Sequence, residues 1–506
     1  MIHGDMIGRL GRARPNCEAL VDVVGGRRYT YAQMSAQVNR MAHFLSELGI
    51  AKGDRVAVLA FNRADYIFLF FGLSRLGAMM VPLNTRQTPA ELVYNLTDSA
   101  PKAFFFDQAH AEAAEELSRR VNLEHWVCFD QAAGPGLSLA RAWDGWSQAE
   151  PAPVDIGPDD PQLMIYTSGT TGVPKGVVQT HGMLAWNCLN TVVGWDLRHT
   201  DRTVLHAAMF YTAGWNVFTL PVFMAAGANV LIAGFDASLV LKLIEEEGLS
   251  LFFGVPTMFQ MMAENPAFAE VNFSRLRFAV SGGAALPAKV REHYLATKGL
   301  RIWEGYGLTE VGPNNFAANG KPGTIGTPMP FMDVRLVDDD GNDVPAGGEG
   351  EILLSGPNMC AGYWNKPEAT AEAIKDGWFH TGDMGGVDAD GHYSIVGRKK
   401  DMLISGGINI YPAEIEAQIC RHPAVAAAAV IGVPDDKWGE VGKAVVELKE
   451  GCSLTLEELN GFLKETLGKF KLPKHLVAID KLPRTAASEK IQKFLLKKEH
   501  GRADNL

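Results

Sequence analysis

The sequence predicts an α/β protein: a large N-terminal domain of α/β subdomains with a small β-rich subdomain, then a small α+β C-terminal domain. Apolar strand-like runs alternate with helical patterns over much of the chain, the signature of a largely parallel sheet. From Gly326 to Gly356 the pattern changes to short strands and Gly/Asp turns. After the charged, turn-prone stretch Gly397-Arg398-Lys399-Lys400-Asp401, about 100 residues carry their own helix and strand signals, the size of a small domain. A chain of 506 residues exceeds one ordinary core. The expected division is 1–399 and 400–506, with a hinge at Lys400.

The elements follow in order. Arg28-Tyr29-Thr30-Tyr31 leads into a helix in which Met34, Val38, Met41, Phe44, Leu45 and Leu48 recur at helical spacing, closed by Gly49. Asp54 to Leu59 reads as a buried strand, Tyr66 to Leu76 as an apolar helix stopped by Gly77, and Met79 to Leu83 as the next strand. The alternation runs on through Phe104-Phe105-Phe106 and Trp126 to Phe129. A Pro-rich connection from Glu150 to Pro161 follows, then a short apolar strand, Leu163 to Tyr166. Thr203 to Ala208 is a strand, and Trp215 to Met224 a helix interrupted at Pro221. Leu251 to Thr257 and Leu276 to Gly283 are strands ending in Gly or turn residues, where parallel sheets hold ligands. Near the end, Pro412 to Cys420 and Leu456 to Leu467 read as helices around an apolar strand, Val425 to Val433.

Composition narrows the function classes. With 47% hydrophobic and 21% charged residues and a mean hydropathy near zero, the chain resembles an ordinary globular protein. A net charge of −11 argues against a general nucleic-acid binder, which needs a basic surface. The six cysteines are scattered with no C-x-x-C pair, so zinc spacings are absent and a reducing cytoplasm is expected. No signal peptide, membrane span or peroxisomal Ser-Lys-Leu address is read in the chain. A homo-oligomer is compatible with the sequence.

The most informative stretch is Tyr166-Thr167-Ser168-Gly169-Thr170-Thr171-Gly172-Val173-Pro174-Lys175-Gly176. Glycines let backbone N–H groups approach an anion and form a concave nest. The hydroxyls add donors and Lys175 adds charge, a combination suited to a polyphosphate. It is not the familiar P-loop, because Pro174 precedes the lysine and Gly176 follows it. A flexible Ser/Gly/Thr linker is the plain alternative, but linkers seldom place Pro-Lys-Gly just beyond a buried strand.

Three further clusters have the same look. In Trp303-Glu304-Gly305-Tyr306-Gly307-Leu308-Thr309-Glu310, glycines leave access to a flat ligand, Tyr306 offers a stacking face and Glu310 offers a carboxylate to a hard cation. Magnesium takes one or two carboxylates plus substrate phosphate oxygens. In Trp378 to Asp383, an aspartate after Thr-Gly can accept from ribose hydroxyls, or cap a turn. The stretch Gly397 to Asp401 is by itself only a charged turn.

Taken together and in order, Tyr-Thr-Ser-Gly-Thr-Thr-Gly-x-Pro-Lys-Gly, Tyr-Gly-Leu-Thr-Glu, Thr-Gly-Asp, Gly-Arg-x-x-Asp and a terminal Pro-Arg-Thr with Lys-Ile-Gln-Lys resemble the acyl-adenylate-forming superfamily across most of the chain. The resemblance implies attack of a carboxylate on the α-phosphate of Mg-ATP, then thiolysis of the acyl-AMP. ATP, Mg2+ and coenzyme A are the implied cofactor and co-substrates. It implies that Thr167, Ser168, Gly169, Thr170, Thr171, Gly172 and Lys175 hold the β- and γ-phosphates. Thr309 would contact the α-phosphate and Glu310 the metal. Gly282, Gly283, Ala284, Glu304, Gly305 and Tyr306 would enclose adenine, with Asp383 and Arg398 on the ribose. Lys490 would bridge the carboxylate and the α-phosphate. The family usually has a glycine directly before this lysine; here Glu489 stands there and changes the loop's local charge. The small domain would rotate about Lys400 to present Gly406-Gly407 for thiolation.

CoA is the favoured acceptor. Leu83-Asn84-Thr85-Arg86 resembles the segment carrying a CoA-phosphate arginine in aryl-CoA ligases, and Phe470-Lys471-Leu472-Pro473-Lys474 resembles their Phe-Lys-x-Pro-Lys element. Trp438 offers another aromatic wall. For the acid, the resemblance places Tyr211, Trp215, Val217, Phe218, Val255, Ala279 and Gly307 around an apolar pocket, with no Arg or Lys for a second carboxylate. A medium- or long-chain fatty acid is the leading expectation. Aryl or cinnamyl acids, a carrier protein loaded in trans, a luciferase-like oxidoreductase and a non-catalytic nucleotide-binding protein are the alternatives.

Overall fold

Local chemistry sets the element ends. In this computed structural model, which describes residues 4–131, 134–167, 174–317, 319–406, 408–484 and 491–501, Thr30 caps the helix Tyr31–Glu47. Its side chain accepts from the Gln33 amide, and the Gln33 side chain accepts in turn from the Thr30 amide. This reciprocal capping box satisfies two donors near the helix start. The following helix, Ala64–Leu76, buries every residue but Asp65, as a helix apolar all round must. Gly77 ends it at φ 69°, a left-handed turn that glycine adopts without Cβ strain.

The chain packs as two units, Met1–Val334 with Leu354–Phe379, and Arg335–Leu353 with His380–Leu506. Lys400, the expected hinge, falls within the second unit, exposed on the single turn Lys399–Asp401.

Two sheets build the first unit. One runs in the order Ile302–Glu304, Phe278–Ser281, Leu251–Gly254, Arg202–Leu205, Ala228–Leu231, Glu18–Asp22 and Arg27–Thr30. Its pairs are parallel except the last hairpin. The other runs Gly362–Tyr363, Lys175–Thr180, Pro161–Thr167, Met79–Pro82, Arg55–Leu59, Ala103–Phe106, His125–Cys128 and Leu137–Ser138. Here Lys175–Thr180 lies antiparallel to both of its neighbours. One continuous apolar cluster joins Leu20, Leu205 and Leu231 of the first sheet, Val58, Phe105 and Ile165 of the second, and the two helices just described. The helices therefore form the layer between the sheets.

Two expected helices differ. The segment around Trp215 to Met224 is two short helices, Thr212–Asn216 and Thr219–Met224. The break falls at Val217-Phe218, ahead of Pro221, because a proline in the first helical turn has no N–H that the helix needs. The helix from Leu456 ends at Leu463, short of Leu467.

In the second unit, residues 383–387 of the strand Trp378–Val387 pair antiparallel with Tyr393–Arg398. A separate sheet runs Ile408–Ile410, Leu403–Ser405, Gly439–Leu448, Val425–Asp435, with His475–Ile479 parallel to Gly439–Leu448. Helices Pro412–Ile419 and Leu456–Leu463 bury Ile415, Ile419, Leu459 and Leu463 in its core. Among the described residues no helix is long and apolar enough to cross a membrane.

Candidate active site

The phosphate-loop stretch sits between two paired strands. Pro161–Thr167 and Lys175–Thr180 lie antiparallel, with Tyr166 opposite Gly176 and Thr167 opposite Lys175. Tyr166 is pinned through its hydroxyl, which donates to Asp98 Oδ2 at 2.7 Å. Ser168, Gly169, Thr170, Thr171 and Gly172 lie outside the described residues. At the far end, Lys175 places its ammonium 4.8 Å from the centre of the Tyr363 ring.

The expected adenine walls emerge side by side. Ser281 and Glu304 are register partners on adjacent parallel strands, so Gly282-Gly283-Ala284 and Gly305-Tyr306 leave neighbouring carboxyl ends. Gly305 N–H donates to Ser281 O at 2.8 Å. Gly283 has φ 81°. A Cβ on Gly307 would lie 2.4 Å from the Pro313 carbonyl carbon, so only glycine fits this approach. The Glu304 carboxylate is engaged inside the protein, accepting from Arg291 Nη1 at 3.0 Å and from the Leu286 amide at 3.2 Å. Burial raises its pKa, against the pull of these donors.

Glu310 is 9% exposed and follows the half-buried Thr309. Tyr363 donates its hydroxyl to Glu310 Oε1 at 3.0 Å, and the Cys360 amide donates to the Glu310 carbonyl at 2.7 Å. Burial, with the Glu310 charge adding to it, pushes the Cys360 thiol up to about 12. Among the described residues no group of three or more His, Cys, Asp or Glu is arranged to hold a metal ion. A single oriented carboxylate fits Mg2+, which fills its remaining positions with phosphate oxygens and water. Glu310 is the residue that would hold it.

Behind Thr309 lies a buried amide network absent from the sequence reading. Gln179 Nε2 donates to Thr309 O at 2.9 Å, and Asn216 Nδ2 donates to Gln179 Oε1 and to Thr212 Oγ1, each at 3.0 Å. Asn187 and Asn314 donate to the Asn216 carbonyl at 2.8 and 3.1 Å. These bonds tie the short helix Thr212–Asn216 to the Thr309 turn.

The residues expected around the acid divide. Tyr211, Val255 and Gly307 are half-buried. Tyr211 accepts from Asn84 Nδ2 at 3.4 Å, which joins it to the segment carrying the exposed Arg86. Trp215 and Ala279 are fully buried in two separate cores. Trp215 stacks on Phe70 with centroids 4.4 Å apart and donates to Met209 O at 2.6 Å. Phe218 packs edge-on against Trp195, and Val217 is 4% exposed.

In the second unit, Asp383 and Arg398 are cross-strand partners. Arg398 Nε lies 2.6 Å from Asp383 Oδ1, and Arg398 Nη1 donates to Thr381 O at 3.2 Å. Gly406 has φ 58° and donates to Trp438 O at 2.8 Å; a Cβ there would lie 2.8 Å from the indole. Trp438 and Phe470 keep exposed faces, 44% and 49%, flanked by Lys437 and Lys471. Lys474 is exposed, and its amide donates to Gly442 O at 2.8 Å. Gly407 and Lys490 lie outside the described residues, between pairs that are described: Gly406 precedes the one, and Arg484 pairs with Ile491 around the other.

Comparisons with known proteins agree with this geometry. Residues 9–364 match the AMP-binding enzyme family and residues 414–489 the AMP-binding enzyme C-terminal domain. Feruloyl-CoA synthase from Amycolatopsis sp is 41% identical over 495 residues, 97% of this chain and 98% of that protein. Long-chain-fatty-acid–CoA ligase FadD13 from Mycobacterium tuberculosis is 37% identical over 508 residues, 98% of each. The crystal structure of ATP-bound MatB from Rhodopseudomonas palustris superimposes with a TM-score of 0.89 at 32% identity, covering 99% of both chains. The phosphate-loop strands, the paired glycine walls, the buried Glu310 and the Asp383–Arg398 pair thus sit in a chain that belongs to the AMP-binding enzyme family, within the AMP-dependent synthetase/ligase superfamily, and is an AMP-forming acid–CoA ligase.

Proposed function

We propose that this ligase activates an aryl monocarboxylic acid, of the arylpropenoic type, and passes it to CoA. One observation carries the choice of acid. The long apolar segment Trp215 to Met224 is consumed largely by the protein's own core: Trp215, Phe218, Leu220, Val222 and Phe223 are each at most 3% exposed. Phe223 meets Tyr31 and Phe71, and Trp215 meets Phe70 and Tyr66. What remains half-buried, Tyr211, Val255 and Gly307, suits a short flat acid better than an extended chain. The 41% identity to a feruloyl-CoA synthase supports this choice. A medium- or long-chain fatty acid is the second reading, supported by the 37% identity to FadD13.

In the first step a carboxylate oxygen attacks the α-phosphorus of ATP, and pyrophosphate leaves with the bond pair. Thr167 to Lys175 hold the leaving phosphates, Thr309 steadies the α-phosphate, and Lys490 draws two mutually repelling anions together. Magnesium held by Glu310 would supply further charge neutralisation at the phosphates. Most of the rate gain in such a step comes from positioning and preorganised charge. Gly282 to Ala284 and Gly305-Tyr306 receive adenine, and Asp383 with Arg398 the ribose. Rotation about Lys400 then brings Gly406-Gly407 to the site. The CoA sulfur attacks the acyl carbon, AMP leaves with the bond pair, and the thiol proton passes to solvent. Arg86, Lys474, Phe470 and Trp438 hold CoA, the two exposed rings offering adenine a stacking face. The free cysteines, of which Cys128, Cys188 and Cys360 are buried, support a cytoplasmic setting.

Pyrophosphate release with CoA and a panel of arylpropenoic, arylacetic, fatty and dicarboxylic acids tests this reading. The expected result is a kcat/KM for an arylpropenoic acid at least about tenfold above that for any fatty acid. A fatty acid ahead of every aryl acid would overturn it.

A further inference from the structure

We propose that Tyr363 is a positioning residue that holds Glu310 and Lys175 in register for the magnesium-bound nucleotide, its hydroxyl on the carboxylate and its ring beneath the ammonium. The inference rests on the assignment of Glu310 to the metal and of Lys175 to the β- and γ-phosphates.

The geometry is specific. The Tyr363 hydroxyl donates to Glu310 Oε1 at 3.0 Å, while the Lys175 ammonium stands 4.8 Å from the ring centre. A donor on one carboxylate oxygen fixes the direction of the carboxylate, as outer partners of metal ligands do. An ammonium within about 6 Å of a ring face is attracted by the ring quadrupole.

Tyr363 is itself fixed. Its backbone pairs with Val177 on the strand that begins at Lys175, and its amide donates to Thr370 Oγ1 at 2.9 Å. Gly362, at φ 121°, lets the chain pass Thr370, whose Cγ2 would lie 2.5 Å from an added Cβ. Three residues earlier, the Cys360 amide holds the Glu310 carbonyl at 2.7 Å. The segment Cys360–Tyr363 therefore grips Glu310 by both backbone and side chain. The phenol thus engages both Lys175 and Glu310.

Calorimetric affinities for ATP, measured with Mg2+ and again with EDTA, test the role without turnover. For Tyr363→Phe, the metal-free affinity should match wild type while the gain on adding Mg2+ shrinks about tenfold, the usual effect of losing a partner of a metal ligand. For Tyr363→Leu, the metal-free affinity should also fall, by about fivefold, with the lost cation–π contact. Glu310→Gln serves as the control. If Glu310→Gln removes the Mg2+ gain and Tyr363→Phe leaves it intact, the positioning role is wrong and the metal assignment stands. If Glu310→Gln keeps the full gain, the metal assignment fails and the role of Tyr363 falls with it. Equal losses in both conditions for Tyr363→Phe, with a lowered Tm, would make the residue merely structural and also overturn the proposal.

Discussion

Asp383 and Arg398 face each other across an antiparallel strand pair, with Oδ1 and Nε 2.6 Å apart. Asp383 is 4% exposed, so most of its compensation for lost water comes from this partner and nearby donors. Removing Arg398 takes the charged partner from this buried carboxylate, at a cost of about 3 kcal/mol. Arg398→Ala should therefore lower unfolding stability by that order and raise the KM for ATP. Denaturant titration and ATP-dependent kinetics check the two parts separately.

His206 gives a pH dependence. It is 3% exposed, its Nε2–H donates to Phe253 O at 2.6 Å, and it stacks on Phe252. Burial pushes its pKa down to about 4 from an ordinary 6.5. The folded protein thus keeps His206 neutral while the unfolded chain takes up a proton. Stability from this group is fully present above about pH 6.5 and is lost as pH falls towards 4, by about 3 kcal/mol in all. His206→Gln should flatten that part of the stability–pH curve in urea melts.

Gly406 should matter to one half-reaction. An alanine there is strained by φ 58° and by the indole of Trp438, 2.8 Å from its Cβ. Strain of about 2 kcal/mol corresponds to roughly thirtyfold in rate. Gly406→Ala should slow thiolysis of supplied acyl-AMP by that order and leave ATP–pyrophosphate exchange near wild type.

Asn216 is fully buried, and its amide spans Gln179 and Thr212. Asn216→Ala leaves those groups short of a partner, a penalty of about 2 kcal/mol. Because Gln179 also holds the Thr309 carbonyl, kcat should fall more than the KM for ATP rises. Thermal melts and steady-state kinetics read both effects.

These residues also show where the sequence was legible. The Tyr166 to Gly176 string, the glycines after two strands and the Thr-Gly-Asp string stand out in the sequence through their glycine and hydroxyl patterns. The alternation of strands and helices was equally plain, since its periodicity comes from burial on defined faces. Asn187, Asn216 and Asn314 gave no such signal: an asparagine among apolar residues looks the same whether it caps a turn or joins a buried network. Tyr363 was hidden likewise, because its partners Lys175 and Glu310 are distant in the chain, the one reached through sheet pairing and the other through a side-chain hydrogen bond. Trp215 is ambiguous in another way: apolar surroundings fit a ligand pocket or a core, and the stacked Phe70 ring shows one of its core contacts.

Oxygen transfer tests most directly whether the acid is activated as an acyl-adenylate. With a carboxylic acid labelled with 18O at both oxygens, one label should appear in AMP for each acyl-CoA formed, because the attacking carboxylate oxygen stays on phosphorus when the thiol displaces AMP. Mass spectrometry of the products decides the matter. Unlabelled AMP, or label found in pyrophosphate or inorganic phosphate, would contradict the account.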